Sequence, residues 1–449
     1  MAEPWVFLLT GGALVLLGFV AAQVFDRFRF PDFFILMAVG VLLGSGVIPL
    51  PVDPRTSLAT IAPILSSVAI AFILFEGGLV LHVRGLGKVW AAAGAHTVVA
   101  MAFSIAGVMV AGTLLLGLAP TTSLILALAF CGPSASIDMS MLTQLKVQER
   151  TRFTIVVEGV MGNVVAAVFV LLFINVSGLT TDEPSVLLYL AYLGASVLLA
   201  LGVGLGWTAV VGRRPRRFSF MTSVAIAVVL YAVSQGFLGG NGGIAAFVFG
   251  LVLGHRRFLT APKPAPAGAA GPRGLQEFHG ELVFLLRSFF FLYLGLRVTL
   301  RDIPVEAVVG AVAFVAVFIA SRWPSSLALS RAWRLPSLDR RILRATVSRG
   351  MTDTVLILFA IEVGYIPAGR EADLVTSLLF LVIIAAALTS AVMVFLAERA
   401  AKKSAAVAPS PAPPAAPERV EMPSVLPSDL DHSLADFLED PIVQRGEID

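Results

Sequence analysis

Cys131-Gly132-Pro133 stands in the middle of an apolar run long enough to cross a lipid bilayer. Proline has no backbone N–H and clashes with the preceding turn, and glycine tolerates the backbone change that follows. A break in the helix is therefore predicted there. A second break is predicted at Ser348-Arg349-Gly350, in the middle of another apolar run towards the far end of the chain. Non-helical backbone at membrane depth is tolerated only where it is buried in protein or lines a cavity. Paired interrupted helices in the two halves of a chain point to a binding site near the bilayer midplane.

The surrounding composition agrees. Of the 449 residues, 57% are hydrophobic and 14% are charged, whereas soluble domains carry about 25% charged residues. The single cysteine, Cys131, excludes an internal disulfide. The first residues, Met1-Ala2-Glu3-Pro4, lack the basic start of a signal peptide, so the first apolar run is expected to be retained. No nucleotide-binding glycine loop, metal-ligand cluster or nucleophile triad is present, and the five histidines are scattered. An enzyme is not expected, no cofactor is called for, and no nucleic-acid partner is expected.

Apolar segments of spanning length predict an all-α polytopic membrane protein with about thirteen transmembrane helices. The loops alternate in charge. Odd-numbered loops carry the basic clusters, among them Arg213, Arg214, Arg216 and Arg217 in the seventh and Arg340, Arg341 and Arg344 in the eleventh. Even-numbered loops carry only Arg55, Arg297, Arg301 and Arg370. By the positive-inside rule the N-terminus faces outward and the C-terminus the cytoplasm, across the cell membrane. The expected organisation is a transmembrane domain over 1–403, a disordered Pro/Ala-rich linker over 404–427 and an acidic cytoplasmic segment over 428–449. The last contains Leu430, Leu434, Phe437 and Leu438 among acids, which reads either as a loosely docked helix or as an element for a regulatory partner.

Ionisable residues inside a membrane are costly and suggest function. Those at depth are Glu76, Asp138, Glu158, Arg287, Arg322, Arg349 and Asp353. Arg322 precedes Trp323-Pro324 and is expected to snorkel to an interface. Glu76 lies either near an interface or in the site. Asp138 follows Pro133 by five residues, with the hydroxyls of Ser134, Ser136 and Ser140 around it. A carboxylate with hydroxyl and carbonyl oxygens suits a hard monovalent cation, and a proton competes for the same carboxylate. Such a site is sufficient for exchange, and no metal is expected beyond the transported cation.

These features together resemble the monovalent cation:proton antiporter superfamily, which includes sodium/proton exchangers, over roughly residues 5–398. The matching stretches are Cys131-Gly132-Pro133, Glu158 with Gly162-Asn163, and Val347-Ser348-Arg349-Gly350. Weaker matches are Leu74-Phe75-Glu76-Gly77-Gly78-Leu79, Gly243 to Gly250, and Phe291-Leu292-Tyr293-Leu294-Gly295. The resemblance implies inverted repeats, two broken helices that cross at the midplane, alternating access and a homodimer. It also implies that Glu158 and Arg349 form a structural ion pair.

Three positions depart from the family pattern. The cation-binding aspartate is replaced by Asn163, which cannot titrate, the aspartate before the helix-break proline by Gly132, and the residue after the glutamate is Gly159. Asp138 and Asp353 are acids the pattern does not call for. The expectation is therefore exchange of sodium or potassium for protons through a carboxylate relocated to Asp138, Asp353 or both, with Asp138 first. Two alternatives stand beside it. One is an anion or organic ion served by Arg287 or Arg349. The other is a non-transporting sensor or scaffold.

Overall fold

A computed structural model describes residues 12–407, outside 14–15, 22, 24–31, 46–53, 81–86, 143–144, 146, 178–185, 214–218 and 260–271. Among the described residues the secondary structure is helical, with no strand. The helices are α1 (Asp32–Gly44), α2 (Pro54–Val80), α3 (Gly87–Val110), α4 (Pro120–Ala129), α5 (Ala135–Leu142), α6 (Glu149–Ser177) and α7 (Val186–Arg213). They continue as α8 (Ser219–Phe237), α9 (Gly242–Leu259), α10 (Pro272–Arg297), α11 (Val305–Trp333), α12 (Ser337–Ala345), α13 (Met351–Glu362) and α14 (Arg370–Val407). A π-turn, Ala111–Leu115, extends α3, and a 3-10 turn, Leu300–Asp302, precedes α11.

Six described helices are long and apolar enough to cross a membrane, and four shorter helices are also apolar. The expected count of about thirteen is not reached among the described residues. Leu114, Leu198 and Phe237 leave most of their surface uncovered on the outsides of helices. In water such faces would be a liability, but against lipid they are at home. The chain is a multi-pass membrane protein.

The chain divides into two units, Met1–Ala401 and Lys402–Asp449. The expected linker and acidic tail lie outside the described residues from 408 onward, and 404–407 continue α14. The expected placement of the N-terminus also lies outside them.

Two of the weaker sequence matches meet in space. α2 packs along α9, and a Cβ on Gly250 would fall 2.2 Å from the backbone oxygen of Phe75. Only glycine allows this approach, which is how helices associate where no hydrophobic force separates helix from lipid. α10 packs on α1 and α2, and α11 on α3. Polar contacts between residues distant in sequence join α5, α12 and α14, where the two helix breaks lie.

Candidate functional site

Each break follows from local sequence. α4 starts with Pro120 at its first turn, where the missing N–H is harmless, and ends at Ala129. Phe130 to Ser134 then run without helix to α5, with Pro133 unable to continue the ladder. α12 ends at Ala345, Thr346 to Gly350 run without helix, and α13 starts at Met351. The two non-helical stretches bond to one another. Ser134 N donates to Ser348 O at 3.0 Å, and Ser348 Oγ donates to Ser134 O at 3.2 Å. The broken helices therefore meet at their breaks, as expected.

Gly132 explains why the family's aspartate is absent here. A Cβ at Gly132 would fall 2.5 Å from Gly162 Cα, backbone against backbone. α6 thus lies so close to the first break that neither position accepts a side chain without movement. Cys131 Sγ, 3.7 Å from Gly162 O, fills the same seam. Cys131 is a buried packing residue and a free thiol.

Asp138 lies on α5 with no exposed surface. Its Oδ1 accepts a hydrogen bond from Ser390 Oγ of α14 at 3.0 Å. The same hydroxyl lies 2.8 Å from Ala345 O, at the end of α12. Asp138 Oδ2 is buried and has no hydrogen-bond partner among the described residues. The hydroxyls expected from sequence sit elsewhere. Ser134 and Ser136 approach each other at 3.3 Å, with Ser136 exposed, and Ser140 donates to Ile137 O. On a helix, residues two apart point in different directions, so nearness in sequence did not translate into contact.

Asp353 is almost completely buried, and its Oδ2 accepts from Gly350 N at 2.7 Å. It closes the first turn of α13, where a carboxylate satisfies an orphan N–H and suits the helix dipole. Arg349 is its principal opposite charge.

The expected Glu158–Arg349 ion pair is not formed. Glu158 Oε2 instead lies 2.8 Å from Arg322 Nη2 and 3.5 Å from His96 Nε2. The arginine contact is short but lacks hydrogen-bond alignment. Arg322 Nη1 donates to Leu343 O of α12 at 2.6 Å. The expectation that Arg322 snorkels to an interface is corrected too, since it is 3% exposed. α11 does not end near Trp323-Pro324 but runs through Pro324 to Trp333, so Arg322 sits inside the helix. Arg349 stacks on α11 instead, with its guanidinium carbon 3.8 Å from the centre of the Phe318 ring. Its Nε and Nη1 have no hydrogen-bond partner among the described residues.

Asn163 is half-buried on α6, next to Gly162 at the first break, and Glu76 is exposed on α2 although its neighbours are buried. Sequence reasoning missed Ser390 and His96. Each stands beside a threonine within an apolar run, His96-Thr97 and Thr389-Ser390, a signal that identifies candidates without saying what they touch.

The cytoplasmic ends expected for α5 and α12 are also tied down. Arg152 Nη2 donates to Leu142 O and Leu145 O, at 3.0 and 2.7 Å, where a cation suits a helix C-terminus. Asp339, in the first turn of α12, accepts from Gln148 N at 3.0 Å. Both contacts hold the halves of the broken helices in place around Asp138.

The transmembrane sodium/hydrogen exchanger family model matches residues 13–403. The K(+)/H(+) antiporter NhaP of Alkalimonas amylolytica is 24% identical over 366 residues, which is 78% of this chain and 60% of that protein. The chain thus spans about 60% of the length of that curated relative. The sodium proton antiporter MjNhaP1 of Methanocaldococcus jannaschii, solved at pH 8, superposes with a TM-score of 0.73 at 15% identity. That alignment covers 89% of this chain and 99% of the other. A second structure of MjNhaP1, from electron microscopy, gives 0.66 at 15% identity, over 92% of this chain and 100% of that one.

Proposed function

The chain belongs to the sodium/hydrogen exchanger family, and from that premise we propose that it exchanges a monovalent cation, sodium or potassium, for protons by alternating access. Asp138 is the group that carries cation and proton in turn. The observation that supports this is the state of its carboxylate. Asp138 is fully buried where the broken helices meet, one oxygen is served by Ser390, and the other has no hydrogen-bond partner among the described residues. A buried carboxylate oxygen left without a hydrogen bond is costly, and a positive charge or a proton relieves that cost. A cation and a proton each meet that need, and each excludes the other.

Two of the competing acids are occupied. Glu158 holds Arg322, and Asp353 holds the first turn of α13. Asn163 has no acid function. Ser390 supplies a hydroxyl oxygen, of the hardness that sodium and potassium accept.

The proposal extends to the assembly. A homodimer in the cell membrane, with the N-terminus outside and the C-terminus in the cytoplasm, accords with the family resemblance and with the basic loops. The acidic tail is proposed to engage a regulatory partner.

Proton flux in proteoliposomes tests the proposal, with sodium, potassium, lithium and chloride salts supplied in turn. Cation-dependent flux that vanishes in Asp138→Asn supports it. Flux that follows the anion instead favours a second reading, in which the incompletely satisfied guanidinium of Arg349 serves an anion. Absence of any ion-dependent flux favours a sensor or scaffold.

A further inference from the structure

The surface around the far end of α11 takes no part in the exchange chemistry. Exposed Val305, Val308 and Val312 present the first turns of α11 to lipid. A hydrocarbon core of about 30 Å takes about twenty helical residues. Its far edge on α11 therefore falls near Trp323, while the helix continues to Trp333. Trp323 is 60% exposed, and an indole at that depth suits the boundary between acyl chains and headgroups.

Beyond that level the surface is basic. Arg331 and Arg334 are exposed at the end of α11, and Arg340 and Arg341 are exposed on α12. The apolar side of α12 is buried, with Ile342 and Leu343 in one cluster with Leu142 of α5, Leu329 of α11 and Val394 of α14. Arg344 is held in place. Its guanidinium carbon lies 5.1 Å from the centre of the Trp323 ring, and its Nε donates to Ser326 Oγ at 3.1 Å. Ser326 in turn donates to Trp323 O at 3.2 Å. Arg340 and Arg341 are four and three residues before Arg344, so both neighbour it on the helix surface. The sole acid between Ala307 and Thr352 is Asp339, which is buried and accepts from Gln148 N. On the adjoining helix ends Glu149 is followed by Arg150 and Glu398 by Arg399, so neither brings net negative charge.

A loop that only sets orientation needs charge but no built contact. Here one arginine is pinned between an exposed indole and a buried serine. Arg399 repeats the pairing on α14, 5.4 Å from the centre of the 53% exposed Phe395 ring. We propose that this surface binds an anionic phospholipid of the adjoining leaflet, with Arg340, Arg341 and Arg344 on the headgroup phosphate and Trp323 along the upper acyl chain. Guanidinium forks match phosphate oxygens, and the positive charge selects anionic over zwitterionic headgroups. The lipid braces α12, whose last carbonyl, Ala345 O, lies 2.8 Å from the Ser390 hydroxyl. The inference goes beyond the exchange reading and does not rest on it.

Brominated lipids quench tryptophan on contact, which gives a direct test. The protein is placed in phosphatidylcholine nanodiscs doped with equal fractions of either phosphatidylglycerol or phosphatidylcholine brominated high on the acyl chain. The contribution of Trp323 is the difference between wild type and Trp323→Phe. It should be quenched at least about threefold more by the anionic lipid. Each basic residue near an anionic surface is worth about fivefold in binding, so the preference should vanish in Arg340→Gln/Arg341→Gln/Arg344→Gln. Equal quenching by the two lipids overturns the inference, as does a preference that persists in the triple variant. Loss of the preference on adding millimolar inorganic phosphate would mark a site for free anions and overturns the lipid assignment. Thermal unfolding of the unaltered protein in detergent covers variants that do not fold. Added phosphatidylglycerol should raise the midpoint more than phosphatidylcholine does, and an equal effect of the two counts against the site. Neither measurement requires transport, so failure here is distinct from failure of the exchange reading.

Discussion

Ser390 and Asp138 are 252 residues apart and joined by a 3.0 Å hydrogen bond in the buried interior. This contact ties the last helix to the broken one and leaves the second carboxylate oxygen of Asp138 without a hydrogen-bond partner among the described residues. Ser390→Ala should weaken the apparent cation affinity several-fold while flux persists. It should also lower stability by about 1–3 kcal/mol, the range for leaving a buried polar group unsatisfied. Asp138→Asn should instead abolish flux with folding retained. Equal flux in wild type and Asp138→Asn would sink the assignment.

The Glu158–Arg322 contact predicts a specific coupling. Removing one partner of a buried ion pair typically costs about 3–5 kcal/mol, because the other charge is left uncompensated. Glu158→Ala and Arg322→Ala should each lower thermal stability in detergent by that order. The double variant should lose less than the sum. Arg349→Ala paired with Glu158→Ala should come closer to additive, since Arg349 stacks on Phe318 instead. Coupling that is larger for Arg349 than for Arg322 would reverse the pairing.

Asp353 and Asp138 should separate in their effects. Asp353 caps α13 through Gly350 N. Asp353→Asn retains an oxygen that can accept this bond, whereas Asp353→Ala removes it, and loss of a cap costs about 0.5–2 kcal/mol. Flux should survive in Asp353→Asn and fall in Asp353→Ala together with stability. Loss of flux in Asp353→Asn with full stability would place Asp353 in the ion pathway.

Orientation is open to a direct labelling test. Cys131 is the lone cysteine and is buried, so background labelling is low. Asp182→Cys, in the acidic loop after α6, should react with an impermeant maleimide added outside intact cells. Reaction only after the cytoplasmic face is opened would invert the proposed topology.

Much of the architecture was legible without coordinates. Apolar runs of bilayer length predict an all-helical membrane protein because lipid offers the backbone no hydrogen bonds, so each segment must satisfy its own. Gly132-Pro133 and Gly350 mark the breaks because their effects on the backbone are local. The acids at depth were identifiable because their burial is costly wherever they point. Partnership was not legible. Arg322 and Arg349 are both buried arginines, and only the course of α11 through Pro324 decides which one reaches Glu158. Ser136 is two residues from Asp138 and points away, while Ser390 arrives from α14. Hydropathy and backbone chemistry act over a few residues and are written in the chain. The partners of a buried charge are set by how helices distant in sequence pack against one another, and that is decided only in the folded protein.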